Sequence, residues 1–196
     1  MMSLHENFGS GTKQTNPDLK PNDVVMTPRK IAKQMIGFYQ IEANQSILDP
    51  CAGDNAFFDQ YPDGVEKHRT EISEGSDFFD WDVENSPHID WIISNPPYST
   101  FPEFLGKCME VADNVCLLIP LAKLVSSLNR MNMVFEYGGI VSMRIIGASR
   151  CGFPFGFPAA AIHLKRDYKG ETLIEMWPEV DEVAERTTST QSVGGI

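Results

Sequence analysis

The chain has 196 residues, 42% of them hydrophobic and 22% charged, with a formal net charge of −11. That length can bury one real core, and the composition is ordinary for a globular domain. No apolar run is long enough to span a bilayer and no charged-then-apolar signal segment opens the chain, so membrane and secreted classes are not indicated and a cytoplasmic setting is expected. Cys51, Cys108, Cys116 and Cys151 are scattered, with no C-x-x-C spacing, and the histidines do not cluster with them. Neither a metal site nor a disulfide framework is read from them. The acidic balance argues against tight, autonomous duplex binding, since phosphate contacts dominate nucleic-acid affinity. Basic residues do gather at two places: Lys13, Lys20, Arg29, Lys30 and Lys33 early, and Arg144, Arg150, Lys165 and Arg166 late.

Residues 1–21 are polar and aperiodic and read as a mobile arm. Thr27 is placed to N-cap a helix whose first turn holds Pro28, with Ile31, Met35, Phe38 and Tyr39 on one face. Ser46 to Asp49 reads as a buried strand running into Pro50-Cys51-Ala52-Gly53-Asp54-Asn55, then a short apolar helix. Gly53 lets the backbone approach a ligand, and Asn55 tolerates the left-handed region. Residues 65–72 read as a second, unusually polar strand, with Glu71 near its end and Glu66 as a competing carboxylate. Asp77 and Phe78 follow in an aromatic segment that also holds Phe79 and Trp81. Asp90 to Ser94 reads as a buried strand stopped by Asn95-Pro96-Pro97-Tyr98, because proline fixes φ and has no N–H. This turn presents an uncharged amide and an aromatic face, which suits gripping a planar amino group.

Further on, Phe101, Phe104, Leu105 and Cys108 form the core face of a helix, and 115–119 is a central strand ending at Pro120. Leu121, Leu124, Val125 and Leu128 stripe another helix, broken by Gly138-Gly139. Strands are expected at 140–146, at 159–164 and, short and final, at 172–177. The loop at 150–158 interleaves Phe153, Phe155 and Phe157 with glycines and prolines; such aromatics either stack on an unstacked base or fold back over the sheet. Residues 181–196 turn acidic, then Ser/Thr/Gly-rich, and read as a tail.

Asn-Pro-Pro-Tyr at 95–98 resembles the catalytic motif of S-adenosylmethionine-dependent amino-methyltransferases, and Asp49-Pro50-Cys51-Ala52-Gly53-Asp54-Asn55 resembles their D-P-x-x-G-x-G cofactor loop, with Asn55 where a second glycine is usual. Thr27-Pro28 resembles the segment leading that loop in one circular order of the N6-adenine DNA methyltransferases. The resemblance covers roughly residues 22–165 and implies an α/β fold: a Rossmann-like, doubly wound, mostly parallel seven-stranded sheet with the last strand antiparallel. It implies a single catalytic domain over 22–178, flanked by the arm and a tail from 179. It implies S-adenosyl-L-methionine as cofactor, held by Thr27, Pro28, Asp49, Pro50, Cys51, Ala52, Gly53, Asn55, Glu71, Asp77 and Phe78. Asn95, Pro96, Pro97 and Tyr98 are the implied catalytic residues, with Tyr98, Phe153, Phe155 and Phe157 against the substrate. The expected acceptor is adenine N6 in DNA, favoured over RNA by the Asp-Pro start and the Thr-Pro helix. An amino group in RNA or a protein glutamine, or a non-catalytic subunit, are the alternatives. With no segment long enough to read a target sequence, either specificity is low, a protein partner supplies recognition, or the target is RNA. The absence of G-x-G-x-x-G sets hydride chemistry aside.

Overall fold

The computed structural model describes residues 25–153, 156 and 158–178. The expected arm, the tail, Phe155 and Phe157 lie outside them. In chain order the elements are α1 (Arg29–Ile36), β1 (Ser46–Asp49), β2 (Glu66–Arg69), β3 (Ile89–Ser94), α2 (Phe101–Val111), β4 (Ala112–Pro120), α3 (Leu121–Val125), α4 (Leu128–Tyr137), β5 (Gly138–Ile146), β6 (Ala159–Arg166) and β7 (Leu173–Met176). They form one seven-stranded sheet in the order β2-β1-β3-β4-β6-β5-β7. Six strands are parallel, and β6 alone is reversed, antiparallel to both β4 and β5. The one reversed strand is thus β6, inserted between β4 and β5, while the final strand in chain order, the short β7, lies at the edge beyond β5 and runs parallel to it.

Burial explains which runs became which strands. β1, β3 and β4 are central and almost wholly buried, so they are near-continuous apolar runs rather than alternating ones. β2 pairs only with β1, and its edge position accounts for the polar Glu66-Lys67-His68-Arg69. Helices α2 and α4 pack on the sheet and on each other. After α1, Tyr39 comes down onto Trp91 of β3 and His163 of β6, with ring centroids 5.8 and 5.2 Å away.

Three local expectations are corrected. Thr27 does not cap α1: its N-cap is Pro28, and no side chain caps it. The apolar helix expected after Asn55 is only a 3-10 turn at Phe58–Gln60, because the chain must come straight back to enter β2. The single helix expected across Leu121 to Leu128 is two, broken where Ser127 accepts a hydrogen bond from Arg130 N–H and caps α4. Of the predicted stripe only Leu124 is buried, Leu121 is half-buried, and Val125 and Leu128 face outward.

Gly138, the first residue of β5, sits where a Cβ would collide with the backbone of Lys165, Arg166 and Asp167 in the adjacent strand end. Gly138→Ala is therefore expected to cost roughly 3 kcal/mol, from overpacking against backbone that cannot yield. A drop of the thermal midpoint in calorimetry checks it, and a midpoint equal to wild type would contradict it.

Candidate active site

β1 sends the chain to β2 on one side, while β3 lies on its other side, so the strand order reverses between them. The crevice outside the carboxyl ends of β1 and β3 is thus the switch point where open α/β sheets place ligands. Loop 50–55 leaves β1 there, and Asn95-Pro96-Pro97-Tyr98 leaves β3 beside it.

The two loops touch. Ser94 Oγ donates to Asp49 Oδ1 at 2.6 Å, and the Cys51 thiol lies 3.1 Å from Ser94 Oγ and 3.2 Å from the Asn95 carbonyl oxygen. Asp49 is 1% exposed, and among the described residues its Oδ2 has no hydrogen-bond partner. Burial pushes its carboxyl up to about 7, against the opposing pull of the Ser94 hydroxyl and the Cys51 N–H. Burial, then the neighbouring Asp49 charge, also raises the Cys51 thiol well above its usual range, so this cysteine is a poor nucleophile.

Gly53 and Asn55 both adopt the left-handed backbone, at φ 52° and 62°. Asparagine is therefore tolerated where the motif usually has glycine, and its buried Oδ1 also lacks a partner among the described residues. The Gly53 N–H donates to Glu71 Oε2 at 2.8 Å, and Ser73 donates to Glu71 Oε1 from both its N–H and its hydroxyl. Partial burial alone would raise the Glu71 carboxyl, but the hydrogen bonds from Ser73 and Gly53, with the Arg69 charge, hold it below the usual range. Glu66 is the first residue of β2, at the far end of that strand, where it pairs with His68. Asp77 Oδ1 caps its own turn by accepting from Phe79 N–H, while Phe78 is buried and packs against Phe104.

The Asn95 side chain is held on three sides. Its Nδ2 donates to the Val25 carbonyl and to Thr27 Oγ1, both at 3.1 Å, and its Oδ1 accepts from the Tyr98 hydroxyl at 2.9 Å. Sequence reasoning did not foresee that Val25 and Lys123 would join the site; Lys123 Nζ donates to the Tyr98 carbonyl at 3.1 Å. Pro28 and Met26 lie close to Gly152 and Gly53, so the segment leading into α1 spans both loops. Phe153 is 4% exposed and stands edge-on to Tyr98, with centroids 5.8 Å apart.

The late basic residues do not form one rim. Arg144 pairs with Glu175, and Arg150 reaches the Pro178 carbonyl. Lys165 and Arg166 end β6 at the opposite end of the sheet, where Arg166 bonds Asp113. A cavity of about 420 Å³ at that end is lined by Trp81, His88, Glu110, Asp113 and Arg166 among others. His88, Asp90 and Asp113 converge beside it, but the Arg166 guanidinium already supplies the cation that this cluster would attract. No described helix is long and apolar enough to cross a membrane.

No protein-family model and no curated protein matches the chain. Solved structures do. A Listeria monocytogenes protein described as a class I S-adenosylmethionine-dependent methyltransferase superposes with a TM-score of 0.63 at 16% identity, covering 88% of this chain and 72% of that one. The methyltransferase subunit of a type I restriction-modification system from Streptococcus thermophilus gives 0.64 at 14% identity, over 88% of this chain and 54% of that one. The 23S rRNA methyltransferase ErmE gives 0.53 at 13% identity, over 86% and 79%. This chain thus spans about half the length of the restriction-modification subunit. What the likeness and the strand order together establish is that the chain has the Rossmann-like fold of the class I S-adenosylmethionine-dependent methyltransferases.

Proposed function

We propose that this protein transfers the methyl group of S-adenosyl-L-methionine to an amino nitrogen, and that its acceptor is the N6 amino group of adenine in DNA. The observation that carries the reading is the contact, at the switch point, between the Asp49–Gly53 loop and Asn95-Pro96-Pro97-Tyr98. The residues fit the cofactor. Among the described residues Asp49 Oδ2 and Asn55 Oδ1 are buried acceptors without donors, and such groups call for a ligand that brings N–H bonds or positive charge. Asp49 and Asn55 would meet the amino-acid end, Glu71 the ribose hydroxyls and Asp77 the adenine amino group, with Thr27, Pro28, Pro50, Cys51, Ala52, Gly53 and Phe78 shaping the walls. The bound cofactor supplies an activated methyl group.

The chain's own residues position the acceptor. An adenine amino nitrogen is a poor nucleophile, because its lone pair is delocalised into the ring. Asn95 Oδ1 and the Pro96 carbonyl accept its two hydrogens and free the lone pair to face the methyl group. Tyr98 stacks on the base, with Phe153 behind it; Pro97 stiffens the turn. Placement and hydrogen-bond electrostatics provide the rate without a strong base, and the proton that the methylated, now acidic nitrogen sheds passes by way of the Asn95 and Pro96 oxygens to water. A base in duplex DNA must be flipped out to reach this site.

The charge of −11 and the dispersed basic residues support a partner that supplies target recognition. An amino group in RNA is the second reading, because the rRNA methyltransferase is matched over most of its own length. Incubation with labelled cofactor and duplex DNA, single-stranded DNA, total RNA or a protein extract, followed by mass spectrometry of the products, tests the proposal. N6-methyladenine in DNA is expected. Label confined to RNA or to glutamine would overturn the acceptor, and cofactor binding without transfer to any substrate would favour a non-catalytic subunit.

A further inference from the structure

A side-chain amide can sit in either of two orientations that exchange its oxygen and nitrogen, and only one leaves the Asn95 oxygen facing an acceptor amino group. The Val25 carbonyl can accept but not donate, so the Asn95 atom 3.1 Å from it has to be the NH₂. The second N–H of that NH₂ goes to Thr27 Oγ1, also at 3.1 Å. With both N–H groups directed at residues 25–27, Oδ1 is turned to the other side, where the Tyr98 hydroxyl donates to it. The Tyr98 hydroxyl thereby marks the donor position that the incoming amino group is to take.

Thr27 is buried, 6% exposed, and its hydroxyl does not cap the helix it precedes. It reaches across 68 positions of sequence to Asn95 instead. A buried hydroxyl would ordinarily be spent on the nearest helix end, since Thr is a favoured N-cap. Here the chain leaves α1 uncapped.

We infer that Thr27 is a positioning residue: with the Val25 carbonyl it sets the orientation of the Asn95 amide, so that Oδ1 is presented to the acceptor nitrogen. This deepens the methyl-transfer reading and rests on it. It assigns Thr27 to the catalytic turn rather than to the cofactor alone. Val25 acts through its backbone and Thr27 through its side chain, so substitution can probe only Thr27. Thr27→Val keeps the shape and the branching but removes the acceptor; Thr27→Ser keeps the acceptor.

The test uses the full chain, with S-adenosyl-L-methionine as ligand, in Thr27→Val, Thr27→Ser, Asn95→Ala and the Thr27→Val/Asn95→Ala double variant. The first readout needs no activity. The Asn95 amide gives a pair of ¹H–¹⁵N resonances, identified as the pair missing from Asn95→Ala. In Thr27→Val this pair is expected to shift and to exchange faster with solvent, and in Thr27→Ser to return. The second readout separates turnover from binding. In Thr27→Val kcat is expected to fall about 3- to 10-fold, the worth of one hydrogen bond, while the cofactor Kd changes by a smaller factor, because valine keeps the shape of the wall. The double variant should be no slower than Asn95→Ala, because two residues acting through one interaction do not lose it twice.

Three results overturn the inference: an Asn95 pair unmoved in Thr27→Val, weakened cofactor binding with kcat intact, or losses that multiply in the double variant. If the wild-type protein methylates none of the acceptors, the methyl-transfer reading fails, and the resonance pair alone then decides whether Thr27 sets the amide.

Discussion

Asn95→Ala is expected to lower methyl transfer by about 10²- to 10³-fold, the usual loss when one preorganised polar partner of the reacting group is removed. The cofactor should still bind, because Asp49, Gly53 and Glu71 hold their geometry through Ser94, Cys51 and Ser73, not through the Asn95 side chain. Asn95 is half-buried but makes three side-chain hydrogen bonds, so the folded state should lose roughly 1 to 3 kcal/mol with them. Asn95→Asp sharpens the point. It places an acceptor-only carboxylate against the Val25 carbonyl, which repels it, and the Thr27 hydroxyl must turn from acceptor to donor, so the oriented amide is lost. Single-turnover rates beside a cofactor titration check both variants. A rate for Asn95→Ala close to wild type would contradict the mechanism.

The second large effect is a pH dependence written by Asp49. Its carboxyl titrates near 4 in an unfolded chain, and burial pushes it up to about 7 in the folded one. Between those values the folded protein holds a proton that the unfolded chain has released. Stability therefore declines as pH rises across that window, and the penalty is complete above about 7, where it reaches roughly 4 kcal/mol at most. His163 works the other way. Burial depresses its imidazole to about 4, so its contribution grows as pH rises from there to its unfolded value. The wild-type profile alone would mix the two, and Asp49→Asn isolates the first. At pH 8 the unliganded variant should be more stable than wild type, and the gap should close towards pH 4. The cofactor should show the reverse preference. A cationic ligand is drawn to the carboxylate, so wild-type affinity should strengthen through pH 7 while Asp49→Asn stays weak and flat. Calorimetry across pH 4 to 8.5, with and without cofactor, reads both. Parallel wild-type and variant profiles would contradict this role for Asp49.

The site was legible where a local motif carries its own geometry. Asp49 ends one buried strand and Asn95 follows another, and a buried strand that runs into proline announces itself in one dimension. The tolerance of Asn55 for the left-handed backbone was legible for the same reason. The Thr27–Asn95 bond was not, because nothing in a threonine before a proline says whether its hydroxyl will turn to its own helix or to a loop 68 residues away. The break between α3 and α4 was hidden by an apolar spacing that suits one helix; the capping oxygen of Ser127 prevailed over it. The polarity of β2, odd for a strand of this sheet, makes sense only once its edge position is known. The late basic cluster is adjacent in sequence yet split between the two ends of the sheet, since β6 carries Lys165 and Arg166 away from Arg150.

The measurement that bears most directly on the central claim is nucleoside mass spectrometry of DNA from a bacterial host lacking adenine methylation, expressing either the wild-type chain or Asn95→Ala. The account predicts N6-methyladenine with the wild type and none above background with the variant. N6-methyladenine at equal levels with both would contradict the role given to Asn95, and a purified wild-type protein that binds no S-adenosyl-L-methionine would contradict the account at its base.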